Sequence, residues 1–127
     1  MAGLVSFQFL YCFLSTFRHR LRLTKEYIGG FCLELSRLYP DFRFIVQDRP
    51  PVLEQAKSEF WPIEDPTALE QGLVVLQPHD FFTENPVKNA EVYWLRYIIH
   101  DWSDDYCVKI LGAIKPSMGP RSRILIW

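Results

Sequence analysis

Residues 42–60 read FRFIVQDRPPVLEQAKSEF, and the order of residue types in this stretch decides the fold class. Phe42 to Gln47 is an aromatic and β-branched run bounded by turn residues, the composition of a buried strand. Pro50–Pro51 then opens a second run, Val52 to Phe60. Proline is tolerated in the first turn of a helix, where its missing N–H would have had no partner anyway. A buried strand feeding a helix is the repeating unit of a parallel sheet with crossover helices.

The same rhythm continues on both sides. Phe31 to Tyr39 (FCLELSRLY) has apolar side chains on much of a helix and is stopped by Pro40–Asp41. Gly72 to Leu76 (GLVVL) and Glu91 to Arg96 (EVYWLR) are two further short strands. Ser103 is a good N-cap, Asp104 and Asp105 put negative charge in the first turn, and Cys107, Ile110, Leu111 and Ile114 form one face of the helix that follows. That helix ends near Pro116 to Gly119, and Arg123 to Trp127 (RILIW) begins a last strand. The pattern predicts an α/β fold with an open, mostly parallel sheet. Such sheets bind ligands at the carboxyl ends of their strands, so functional residues are sought there.

Composition narrows the class. The 127 residues suffice for one domain, and 49% hydrophobic with 23% charged residues is the balance of a chain that buries a core. This excludes a disordered tail, and a formal charge of −1 argues against a general nucleic-acid binder. Cys12, Cys32 and Cys107 are odd in number and far apart, which suits neither a disulfide framework nor a zinc site. Reduced thiols of an intracellular, cytoplasmic protein are expected.

Charge is unevenly placed. Residues 1–25 contain Arg18, Arg20, Arg22 and Lys25 and no acid, which leaves 10 of the 14 bases facing all 15 acids in residues 26–127. The chain therefore divides into an atypical apolar and basic N-terminal segment, 1–25, and the α/β region, 26–127. Ala2 to Phe17 is apolar or weakly polar, yet shorter than the roughly 20 residues a membrane span needs. Its positive charge follows the apolar run instead of preceding it, unlike a secretory signal. A helix or strand packed on the domain is the preferred reading, with membrane association of residues 2–17 as the alternative.

Three strand ends carry chemistry. Asp48 lies 19 residues beyond Gly29. That is close to the interval at which nucleotide-binding folds place an acid to accept both ribose hydroxyls. A turn residue or a cap for the next helix is the competing role. Asp80, followed by Phe81 and Phe82, offers a carboxylate edge and an aromatic face to an adenine, or the rings form a small core of their own. His100, within Ile98-Ile99-His100-Asp101-Trp102-Ser103-Asp104, can take a proton near neutral pH with Asp101 to orient it. It can equally be a satisfied histidine at a strand-to-helix joint. His19 and His79 have no convincing partner, and no set of residues has metal-ligand spacing.

Taken together, LELSRLYP (33–40), FRFIVQDRPP (42–51), HDFF (79–82) and YWLRYIIHDWSDDYC (93–107) resemble the fungal and plant-type S-adenosylmethionine-dependent O-methyltransferases over residues 29–127. The resemblance implies a partial Rossmann-like methyltransferase sheet with crossover helices. It implies S-adenosyl-L-methionine as cofactor, with Asp48 on the ribose, Asp80 and Phe81 at the adenine end, and Gly29 and Arg96 beside the donor. His100 becomes the base that deprotonates an acceptor hydroxyl on a small aromatic or polyketide-like metabolite. No metal and no nucleic acid is implied.

The sequence departs from that pattern in two places. Where the family has an apolar strand and a Gly-x-Gly-x-Gly loop, this chain has Lys25-Glu26-Tyr27-Ile28-Gly29, and only the last glycine survives. The strand before it falls on Leu21 and Leu23, which alternate with arginines. The family's final strands are expected beyond Trp127. These departures carry the alternative expectation: a truncated methyltransferase-fold remnant or interaction module without catalysis, self-associating through exposed sheet edges.

Overall fold

The computed structural model describes residues 4–9, 30–96 and 98–126. Among them, five strands form one parallel sheet in the order β3-β2-β1-β4-β5. They are β1 (Leu4–Phe9), β2 (Arg43–Asp48), β3 (Val74–Pro78), β4 (Val92–Arg96) and β5 (Arg123–Ile126). The helices are α1 (Phe31–Leu38), α2 (Pro50–Gln55), α3 (Trp61–Glu64), α4 (Pro66–Glu70) and α5 (Asp104–Ile114). A π turn, Ala56–Phe60, joins α2 to α3, and 3-10 turns occupy Ile99–Asp101 and Lys115–Ser117.

The unbroken apolar strands of the sequence are explained by a core on each face. Phe44 and Val46 of β2 pack with Cys32, Leu33, Val52, Leu53, Phe60 and Trp61. Ile45, on the alternate position, packs against the second core, built from Tyr93, Leu95, Ile98, Ile110 and Ile114. In β4 the alternation is reversed: Tyr93 and Leu95 belong to the second core, while Val92 and Trp94 lie against the first. The period of two along each strand thus supplies both layers at once.

The middle strand comes from an unexpected part of the chain. Leu4–Phe9 pairs with β2 on one side (Phe7↔Val46) and with β4 on the other (Phe7↔Trp94). The apolar run near the N-terminus therefore gives the sheet its centre, a position that calls for an apolar strand. Leu21 and Leu23, where that strand was expected, lie outside the described residues. No helix among the described residues is long and apolar enough to cross a membrane.

Other elements differ from expectation at their ends. The helix expected over Val52 to Phe60 begins at Pro50 and loosens into the π turn, after which Pro62 stands in the first turn of α3. Proline there gives no N–H to the turn before it, and the wider turn seats both Phe60 and Trp61 in the core, their rings edge to face at 5.3 Å. Ser103 holds the extended backbone of an N-cap but makes no side-chain capping bond. The acids Asp104 and Asp105 remain to complement the first turn of α5.

Candidate functional site

The carboxyl ends of β2, β3 and β4 face one edge of the sheet. Asp48 ends β2, Asp80 and Phe81 follow β3 closely, Arg96 ends β4, and His100 lies in the 3-10 turn just beyond. Asp48 and Asp80 are on neighbouring strands, joined where the His79 amide donates to the Asp48 carbonyl at 3.1 Å. This bond steps past Pro78, which pairs with Asp48 in register. Arg96 is separated from β2 by β1, where Phe9 is its partner in register. Gly29 lies outside the described residues.

Asp48 is only 6% exposed. Its Oδ1 accepts from the Arg49 amide at 2.7 Å. Burial pushes its carboxyl up to about 7, against the opposing pull of the Arg49 amide and charge. A carboxyl so placed is poised between forms at neutral pH, and a pair of hydroxyl donors arriving at it favours the ionised one. His79, beside it, is pushed below the usual histidine range by burial, in opposition to Asp80. Its Nε2 is buried without a hydrogen-bond partner. Read in the sequence as a plain loop residue, it joins the two strand ends through its amide bond to the Asp48 carbonyl and lies next to Asp80 in the chain.

Asp80 builds the turn that presents Phe81. Its Oδ1 accepts from the Phe82 amide at 2.9 Å, and its carbonyl accepts from the Thr83 amide and hydroxyl at 2.9 and 2.7 Å. Phe81 meets Trp102 edge to face at 5.8 Å, and Phe82 lies 5.1 Å from Trp102 and 5.8 Å from Tyr106. These rings join the turn after β3 to the start of α5 and form the small aromatic core that the sequence allowed, with Phe82 still 37% exposed. An aromatic surface edged by a carboxyl suits stacking of a flat heterocycle.

Arg96 covers the ring of Phe31, the first residue of α1, at 4.2 Å, and Phe31 meets Trp94 edge to face at 4.9 Å. The cation is thereby tied to the first turn of α1. His100 Nε2 lies 3.2 Å from Asp101 Oδ1, with the histidine side chain 58% exposed and the aspartate 21%. This is an imidazole with an acid beside it and an open face. Among the described residues no group of three or more His, Cys, Asp or Glu can hold a metal ion. An apolar cavity of about 250 Å³, lined by Leu35, Tyr39, Phe42, Phe44, Val92 and Trp94, lies nearer the opposite ends of β2 and β4 and includes none of Asp48, Asp80, Phe81, Arg96 and His100.

Gln47, Asn85 and Ser117, all buried, are polar residues to which the sequence gave no role. A glutamine directly after the apolar run Phe44–Val46 was the available signal; Asn85 gave none.

Comparison with known proteins adds the lineage. Residues 27–127 match the family described as O-methyltransferase domain. O-methyltransferase gedA of Aspergillus terreus and O-methyltransferase tpcA of Aspergillus fumigatus are each 57% identical over 99 residues, covering 78% of this chain and 20% of theirs. The chain thus spans about a fifth of the length of these relatives. Among solved structures, LepI in complex with SAM superposes with a TM-score of 0.71 at 30% identity, covering 98% of this chain and 26% of LepI. The family match begins at residue 27, so β1 precedes it.

Proposed function

This chain belongs to the O-methyltransferase domain family, and from that premise we propose that it forms the donor-binding layer and carries the base of an S-adenosylmethionine-dependent O-methyltransferase. The acceptor is a hydroxyl of a small aromatic or polyketide-like metabolite. S-adenosylmethionine is the cofactor that goes with this family. The observation that carries the reading is the gathering of Asp48, Asp80, Phe81, Arg96 and His100 just after three strands of one parallel sheet, where such sheets bind ligands.

The residues fit that donor. Asp48 offers a buried carboxyl to the ribose hydroxyls, with the Arg49 amide fixing one oxygen. The Asp80 turn sets Phe81 beside an aromatic surface for the adenine. When bound, S-adenosylmethionine supplies a methyl group on a positively charged sulfur that leaves as a neutral thioether. The His100 imidazole removes the acceptor's hydroxyl proton, and Asp101, 3.2 Å from Nε2, stabilises the imidazolium that results. The methyl group would be accepted by the deprotonated oxygen, so positioning and proton removal are the protein's contribution.

A second reading, a binding module of the same fold without catalysis, is favoured by one observation. Residues 10–28, which follow β1, contain no glycine, so the stretch lacks the glycine loop expected of the family. This reading adds self-association through the edge of β5, where Leu125 is 41% and Ile126 56% exposed. For either reading a cytoplasmic location is inferred from the cysteine pattern alone. Calorimetric titration with S-adenosylmethionine, beside Asp48→Ala, separates the two. Saturable binding lost in the variant supports the donor site, and turnover lost in His100→Ala with binding kept supports the base. No heat from a folded sample leaves the binding module.

A further inference from the structure

Two of the most deeply buried polar side chains belong to neither the donor nor the base. Asn85 is 0% and Gln47 2% exposed, and their amides face each other: Gln47 Nε2 donates to Asn85 Oδ1 at 3.0 Å, and Asn85 Nδ2 donates back to Gln47 Oε1 at 3.0 Å. Gln47 Nε2 also reaches Gln77 Oε1 of β3 at 2.7 Å. The remaining groups of Asn85 are engaged as well. Its Oδ1 accepts from the Val87 amide at 2.9 Å, its N–H donates to the Ala113 carbonyl at 3.0 Å, and its carbonyl accepts from the Ser117 hydroxyl.

We propose that Asn85 is a positioning residue: through its reciprocal amide pair with Gln47 it locks together the end of β2, which carries Asp48, and the loop after β3, which carries Asp80. The inference rests on the donor reading for its purpose, though not for its geometry.

Three arguments lead there. Gln47 and Asp48 are consecutive in a strand and point to opposite faces, so fixing the Gln47 amide fixes the roll of the strand and with it the direction of the Asp48 carboxyl. The His79 amide to Asp48 carbonyl bond closes the backbone ladder at this end, and the side-chain amides extend the fastening to Asn85. Finally, an apolar pair would fill the same space without desolvating two amides. What amides add is direction, because each must meet the other in one orientation or be left buried and unsatisfied. The same residue reaches the last turn of α5 through Ala113, tying in the helix that follows His100.

The test compares the natural chain with Asn85→Leu, which keeps the volume and removes the amide, and with the exchanged pair Gln47→Asn/Asn85→Gln, which keeps the combined reach. Three properties are read: the titration of the Asp48 carboxyl by carbon NMR without ligand, the affinity for S-adenosylhomocysteine by calorimetry, and Tm. Asn85→Leu is expected to lower the Asp48 midpoint by about one pH unit as water gains access, and to weaken S-adenosylhomocysteine about tenfold. The exchanged pair is expected to restore both. A fall in Tm with the Asp48 midpoint unmoved, or an exchanged pair that restores neither property, overturns the proposal. If the natural chain binds no S-adenosylhomocysteine the donor reading fails, and the ligand-free titration still decides the role of Asn85. Should Asn85→Leu not fold, Gln47→Met breaks the same pair from β2 and is read in its place.

Discussion

A carboxyl held at about 7 by burial works against the fold above its ordinary range, and in the proposed donor site it makes ligand binding depend on pH. In the unfolded chain Asp48 ionises near 3.8, whereas in the folded chain it keeps its proton to about 7. The stability this represents is fully present below the unfolded value and is lost as pH rises towards the folded one. Asp48→Asn removes that dependence. Its Tm should exceed that of the natural chain at pH 8, with the gap closing towards pH 4, in thermal melts across that range. In the proposed donor site, ligand binding runs the other way, since ribose hydroxyls would donate to the ionised form. Affinity for S-adenosylhomocysteine should climb with pH, approaching tenfold per unit below 7, and level off above it. A flat calorimetric profile from pH 5.5 to 8.5 would remove the ribose role from Asp48. The residue itself was legible from its spacing after Gly29 and its place before Pro50. Its buried setting was not, because burial depends on the partners across the sheet.

At the scale of elements, what could be read depended on how far each signal reaches along the chain. β2, β4 and α5 announce themselves by continuous or periodic apolar runs, and the structure has all three within a residue or two of expectation. The short helix α4 was missed, although Asp65-Pro66 is a start signal. The Asp65 Oδ1 accepts from the Ala68 amide at 3.2 Å and from the Thr67 hydroxyl at 2.8 Å, and Pro66 fills the first helical position. A helix of five residues has too little apolar pattern to register, so the cap carries its identity. Asp65→Ala should therefore cost about 1 kcal/mol in denaturant unfolding, out of proportion to its half-buried position. Just beyond α4 the chain turns into β3 through Gly72, at φ 68°, in a turn with room for a side chain but the wrong backbone hand for one. Gly72→Ala should cost about 1 kcal/mol by the same measurement, from backbone strain alone.

At the scale of the whole molecule, the central strand was the hardest feature to read. An apolar run followed by a basic cluster favours a packed strand or helix over a membrane-seeking segment without deciding which element it is, and pairing with β2 and β4 shows the strand. With β1 paired to both β2 and β4, β5 lies at the margin of the sheet among the described residues. β5 pairs with β4 on one side, and both of its last two described residues, Leu125 and Ile126, are exposed, though they point to opposite faces. Leu125 also borders the apolar cavity beside Tyr39 and Trp94. β5 is short and opens with the exposed Arg123, but its second half, Leu125 and Ile126, carries apolar side chains on both faces and no charge to keep another edge away. The proposed self-association should then centre on this strand. Sedimentation of the natural chain should show mass rising with concentration, while Ile126→Lys places a charge on the edge and should return it to the monomer at the same concentrations. Because Ile126 is exposed, the substitution leaves the core intact, so Tm in dilute solution should change little. An unchanged mass distribution in the variant would move the contact away from β5.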